Sequence, residues 1–140
     1  MEIAEFKVRC YLCWKKFLIP ALSDFNYGEF LFVNYKTREF RHFNRFEKFG
    51  IENVISEKLN SDKELQFKND ETKGNVYLKL VGKLSDEKFE PVFSQVKCPR
   101  CKIGFHSLPN KKSGIINIKE LTFEKSKGKT IEENLKGLAI

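Results

Sequence analysis

The sequence predicts a mainly β, α+β fold: an antiparallel β-barrel-like or β-sandwich-like single domain over residues 1–123, with one main helix at about 45–59. Three observations predict it. Short runs rich in Phe, Val, Ile and Leu are separated by turn residues, as in strands joined by tight connections. Only the stretch 45–59 spaces its apolar residues so that they share one helical face. Four cysteines, Cys10, Cys13, Cys98 and Cys101, stand in two close pairs towards the two ends of this region and tie them together. A chain of 140 residues is long enough to bury one core.

Taken in order, Phe6–Ala21 reads as strand, tight cysteine turn, strand. Gly28–Tyr35 and Glu39–Asn44 are aromatic-rich runs around Lys36-Thr37-Arg38, a hairpin pattern. Asn44 with Glu47 three residues on makes a capping box that opens the helix, with Gly50 placed to delay or kink its start. Leu65 with Phe67, and then Val76, Leu78 and Leu80, alternate with their neighbours and are expected as strands. Lys88–Val96 is expected as a strand that enters the second cysteine pair, with Pro91 at a sheet edge or bulge. Ile115–Phe123 is the last strand, and 124–140 is a polar tail with a short helical turn near Thr130–Gly137. Phe6, Phe17, Leu31, Val33, Val54, Ile55, Leu78, Leu80, Phe93 and Phe105 are the expected core.

The cysteine spacing carries the chemistry. In Cys10-Tyr-Leu-Cys13 and Cys98-Pro-Arg-Cys101, two intervening residues let the chain turn back so that both sulfurs face one point. Two such knuckles complete a tetrahedron of thiolates around one Zn²⁺. The flanks repeat: Val8-Arg9 before Cys10 matches Val96-Lys97 before Cys98, and Phe17 and Phe105 each stand four residues after the second cysteine. Arg9 and Lys97 are placed to offset thiolate charge, Phe17 and Phe105 to cover the metal, and His106 to hydrogen-bond a thiolate. Trp14 and Lys102 stand where a rubredoxin-type iron knuckle usually has Gly, which favours zinc over iron. Disulfides and a redox-active pair are the competing uses of these cysteines; an intracellular start and the lack of a βαβ setting weigh against them. Four thiolates leave no open coordination position, so the site is structural and not catalytic.

These knuckles and their Phe followers resemble a zinc ribbon in the broad sense, and a β-rich insertion between them is similar to the split β-barrels of methionine sulfoxide reductase B, Yippee proteins and the cereblon ligand-binding domain. The resemblance implies a bound zinc and a β-rich fold. It does not bring their activities with it, because no fifth cysteine serves as a nucleophile and Trp14 is the only tryptophan. The 84 residues between the knuckles also exceed the roughly 15–20 of compact ribbons.

Charge and composition narrow the partners. The formal charge is +7, or +5 with four thiolates on a divalent ion. Residues 97–129 supply that excess, and Arg100, Lys102, Lys111, Lys112 and Lys119 are the candidate polyanion contacts. An AT-rich codon bias, visible as abundant Lys, Phe, Ile and Asn, would explain the lysines without any such partner. No apolar run reaches the roughly 20 residues that span a bilayer, so no membrane partner is expected. The acidic start at Glu2 and Glu5 is unlike a secretory leader, which places the chain in the cytoplasm, or in the nucleus of a eukaryote. There is no phosphate loop, no dinucleotide turn and no H-E-x-x-H, and the only histidines are His42 and His106, so neither an enzyme nor a small-molecule substrate is indicated. The expected role is a zinc-stapled, non-enzymatic interaction module for an unidentified protein, with Ile115–Phe123 and its lysines as the candidate surface. The alternative is a single-stranded nucleic-acid binder of OB type using 97–129. An enzyme related to the split β-barrels ranks third, for want of a free cysteine.

Overall fold

The computed structural model describes residues 1–21, 25, 27–47, 49–93, 95–107 and 112–123, and for 49, 50, 54 and 66 the backbone alone. The polar tail, Lys111 and the side chain of Val54 therefore lie outside the described residues.

Alternation builds the first sheet. In β1 (Glu2–Arg9) and β2 (Lys16–Pro20), Val8 faces Phe17 and Phe6 faces Ile19 across an antiparallel pair, while Lys16 and Leu18 point to water. Partners on one face of such a pair bury together, and that fixes the register. The third strand is β6 (Lys112–Asn117), on the other edge of β1. Its pairing shifts between Glu5 and Phe6, and Ser113 becomes the extra residue of a bulge. The Ser113 hydroxyl is used there, accepting the Lys7 N–H at 3.1 Å.

The second sheet has the order β5-β3-β4-β7. Its centre is the expected hairpin, β3 (Glu29–Asn34) and β4 (Glu39–Asn44). The Asn34 carboxamide accepts from Lys36 N–H at 3.0 Å and Thr37 N–H at 3.3 Å, which closes the turn. Glu90–Pro91 forms β5 at one edge, where a residue without an N–H costs no ladder bond. Lys119–Glu120 forms β7 at the other edge, parallel to β4. The final strand region is thus split: Ile118, 1% exposed, carries the chain from the first sheet to the second.

The fold class holds: strands in two sheets dominate an α+β architecture. The sheets do not close into a barrel. They pack as layers, and β3 is the shared wall. Leu31, Phe32 and Val33 are each 1% exposed or less. Leu31 joins a core with Ile3, Val8, Phe17, Ile19, Val96 and Ile118. Phe32 faces the other way, into a core with Phe43, Ile55, Tyr77, Leu80 and Val81.

The expected helix is α1 (Phe49–Ser61). Asn44 accepts from Phe46 N–H at 3.0 Å and so opens a 3-10 turn, Arg45–Glu47, ahead of it. A second helix, α2 (Asp70–Leu84), replaces the strand expected around Val76–Val81. Its physical cause is in the sequence. Asn69 caps it by accepting Thr72 N–H at 2.8 Å, and Asp70 and Glu71 sit at its positive end. Tyr77, Leu80, Val81 and Leu84 recur at three and four residues on its buried face, and that period extends further than the short alternation of 76–81. Leu65 and Phe67 likewise lie in a 3-10 turn and not a strand, with Leu65 buried and Phe67 exposed.

The glycines of α2 make a matched test. A Cβ on Gly82 would lie 2.5 Å from the Phe89 carbonyl oxygen, whereas one on Gly74 would meet nothing within 4 Å. Gly74→Ala should stabilise the protein by about 0.5–1 kcal/mol through helix propensity. Gly82→Ala should destabilise it by about 1–3 kcal/mol, because backbone must move. Urea midpoints of the two variants check both signs.

Two expected core residues are outside. Phe93 is 50% exposed because Val92, whose N–H bonds Leu31 O at 2.9 Å, takes the inward position beside it. Phe105 is 53% exposed, for a reason that belongs to the metal centre.

Candidate metal centre

Two turns of the same construction meet here. In the first, Trp14 N–H bonds Cys10 O at 2.9 Å and Cys10 N–H bonds Lys15 O at 2.9 Å. In the second, Lys102 N–H bonds Cys98 O and Cys98 N–H bonds Ile103 O, both at 3.0 Å. The residue after each second cysteine has a left-handed backbone, with φ of 64° at Trp14 and 63° at Lys102. That is the conformation for which glycine is the low-energy choice.

The turns bring the four sulfurs together. Cys10 Sγ and Cys101 Sγ lie 3.3 Å apart, Cys13 Sγ and Cys98 Sγ 3.5 Å, and all four ligand atoms fall within 4.8 Å of one another. Sulfurs about 2.3 Å from a central ion stand about 3.8 Å apart in a tetrahedron, so this donor set fits a four-coordinate cation. The close approaches run between knuckles, and all four thiols are free; a disulfide would need about 2.05 Å. Cys10 and Cys98 are buried and Cys13 and Cys101 half-buried. Among the described residues, this is the one group of three or more His, Cys, Asp or Glu side chains able to hold a metal ion.

The backbone prepares two of these sulfurs, those of Cys10 and Cys98, for negative charge. The Cys13 N–H, with that of Leu12, holds the Cys10 thiol below its ordinary pKa against the effect of burial. Burial pushes Cys98 up, but the N–H groups of Cys101 and Arg100 outweigh it and bring the thiol down to about 6. The hydrogen bond to Cys10, with burial behind it, pushes Cys101 up to about 12. A cation held by all four as thiolates would relieve that conflict.

The flanking residues divide. Phe17 is buried against the site, as expected, and its ring meets His106 edge-on at 5.6 Å. Phe105 does not repeat the role. A bridge pairs Cys10 with His106, and cross-strand partners share a face. Cys10 faces inward, so His106 does too, at 4% exposed, and Phe105 turns out to rest edge-on against Tyr11 at 5.0 Å. The His106 Nδ1–H donates to Ser107 O at 2.7 Å, and its buried Nε2 has no hydrogen-bond partner among the described residues. Arg9 lies over the Trp14 ring at 5.8 Å, and its backbone exchanges hydrogen bonds with Ser107. Lys97 lies over Tyr35 at 5.3 Å.

One contributor was not found in the sequence. Arg38 donates from Nη1 to Lys97 O at 2.9 Å and lies over the rings of Tyr35 and Phe17 at 5.5 and 5.8 Å. Tyr35 Oη accepts the Lys97 N–H at 3.2 Å. The β3–β4 turn therefore grips the chain entering the second knuckle, and it brings a guanidinium close enough to interact with Cys98. Its sequence signal, a cation in a hairpin turn, is common to many surface loops.

The described polyanion candidates stand on three different parts of the fold. Arg100 and Lys102 are exposed on the second knuckle, Lys112 on the first sheet and Lys119 on the second. Within Ile115–Phe123, Ile118, Leu121 and Phe123 are buried and Ile115 is exposed, so that segment offers little apolar surface. His42, the other histidine, is half-buried on β4, opposite Leu31 and Glu120, and burial lowers its pKa. No described helix is long and apolar enough to cross a membrane. Comparison with protein-family models, with curated proteins and with solved structures finds no match.

Proposed function

We propose that this chain is a non-enzymatic binding module whose fold depends on one structural zinc ion held by Cys10, Cys13, Cys98 and Cys101. The observation that carries it is the convergence of four sulfurs within 4.8 Å on two turns of identical hydrogen bonding. An all-sulfur tetrahedral set favours zinc among the common cellular ions and leaves no position for water or substrate. The ion's task is to join the start of the first sheet to the segment that precedes β6. A reducing compartment, cytoplasm or nucleus, keeps such thiols available.

The surface such a module offers lies at the knuckle tips and not on Ile115–Phe123. Tyr11, Leu12, Trp14, Ile103 and Phe105 are all exposed there, and a concentration of large apolar groups on one surface marks an interaction site.

Elemental analysis of protein purified without chelator should find one zinc per chain. Replacement by Co²⁺ should give the intense thiolate-to-cobalt absorption and tetrahedral visible bands of a four-sulfur site. Metal content well below one equivalent, or cobalt bands of an oxygen-rich site, would overturn the proposal.

A further inference from the structure

We infer that the knuckle tips bind single-stranded nucleic acid, stacking bases on Tyr11, Trp14 and Phe105 while the surrounding cations hold phosphates; this rests on the zinc-stapled module proposed above.

Three independent observations lead there. The first is the exposure of the rings themselves: Tyr11 is 46% exposed, Phe105 53% and Trp14 64%. Tyr11 and Phe105 touch each other, and the Tyr11 N–H bonds Phe105 O at 2.9 Å, so the two knuckles present their rings as one platform. The second is charge. Residues 7–18 and 95–107 contain seven Lys and Arg and no Asp or Glu. Arg9, Lys16, Lys97, Arg100 and Lys102 are exposed among them. Even after a zinc tetrathiolate contributes two negative charges, the face stays strongly positive, matching a partner with one phosphate per base. The third is the backbone at Trp14 and Lys102. Both occupy left-handed positions at which any side chain but glycine costs energy, and both side chains are exposed. At Trp14 a ring is held exposed on a turn where a glycine would stabilise the backbone, and at Lys102 the ammonium group stays at the exposed surface of its knuckle, donating to Pro99 O at 2.9 Å.

The geometry favours single strands over duplex. Both described α-helices pack on the far face of the β3–β4 sheet, in the core that contains no cysteine, so neither is at the knuckle face to enter a major groove. Rings on short turns stack on bases that are already unpaired.

Trp14 is the only tryptophan, so its fluorescence reports on this face directly. The full zinc-loaded chain is titrated with oligo(dT) and oligo(U), with a duplex of equal length, and with poly-glutamate. The expected result is quenching by the single strands that weakens steeply with salt. Tyr11→Ala and Phe105→Ala should each weaken binding by about tenfold, the scale of one lost stacking contact. The double variant Arg100→Gln, Lys102→Gln should lower the magnitude of the log–log salt slope by about 1.4. Zinc content and circular dichroism are measured on every sample. Protein with a full zinc equivalent and an unchanged spectrum that shows no quenching overturns this inference and leaves the zinc module standing. Equal response to duplex overturns the stacking contact, and equal response to poly-glutamate replaces the partner with an acidic protein. Protein without zinc overturns both proposals together.

Discussion

Removing the metal should abolish the cooperative thermal transition or lower its midpoint by at least about 8 °C. Without a cation the knuckles are joined only by weak neutral contacts among the described residues, such as the Tyr11–Phe105 hydrogen bond and ring contact and the Cys10–His106 bridge. Structural zinc in small peptides binds with about 10–16 kcal/mol of apparent free energy. The site closes a loop of 84 residues between Cys13 and Cys98. By analogy with a covalent crosslink, releasing that loop returns about 4–5 kcal/mol of entropy to the unfolded chain. Domains of this size hold about 5–15 kcal/mol in total. Even the lower figure removes about a third or more of that margin, and at about 2–4 °C per kcal/mol it moves the midpoint by about 8–20 °C. Cys98→Ser should have the same effect as chelation, since it breaks the closed set. A circular dichroism melt that is identical before and after complete metal removal would refute the structural role.

Phe32→Ala should destabilise the protein by about 3–5 kcal/mol, the range for a buried phenylalanine truncated in a tight core. Phe32 is 0% exposed and meets Phe43 edge-on at 6.2 Å, in the core with Ile55, Tyr77, Leu80 and Val81. The cavity would open on the opposite side of β3 from the cysteines. Zinc affinity measured in the folded variant should therefore change much less than its denaturation midpoint. Loss of metal in direct proportion to loss of stability would show that the two cores are not separate layers.

The cysteine cluster was legible because C-x-x-C is a local geometric device: the spacing alone turns two sulfurs to one side, wherever the knuckle lies in the chain. The β3–β4 hairpin was legible for the same kind of reason, having a turn written next to its apolar pattern, and α1 was legible from its apolar spacing, although Asn44 opens the 3-10 turn ahead of it and not the helix itself. The helix α2 was not, because Val76, Leu78 and Leu80 satisfy a two-residue period over a short run, and the longer period needs Tyr77, Val81 and Leu84 to be seen. Asn69 followed by two acids was the sign that decides between them. Phe105 misled for a different reason. Its match to Phe17 assumed that the two knuckles continue alike, but the second is followed by a bridge to Cys10 that buries His106 instead. Arg38 was out of reach, since its contacts with Phe17 and Lys97 exist only once β3 and β4 pack across the metal centre.

The strand that separates the two cores has a consequence for how this small protein can fail. Leu31 and Phe32, adjacent along the chain, are committed to opposite sides. A slip of the hairpin by one residue would exchange them and spoil both packings at once. The molecule has no seam: its sulfur-rich end and its helical end share a partition whose misplacement neither could survive alone.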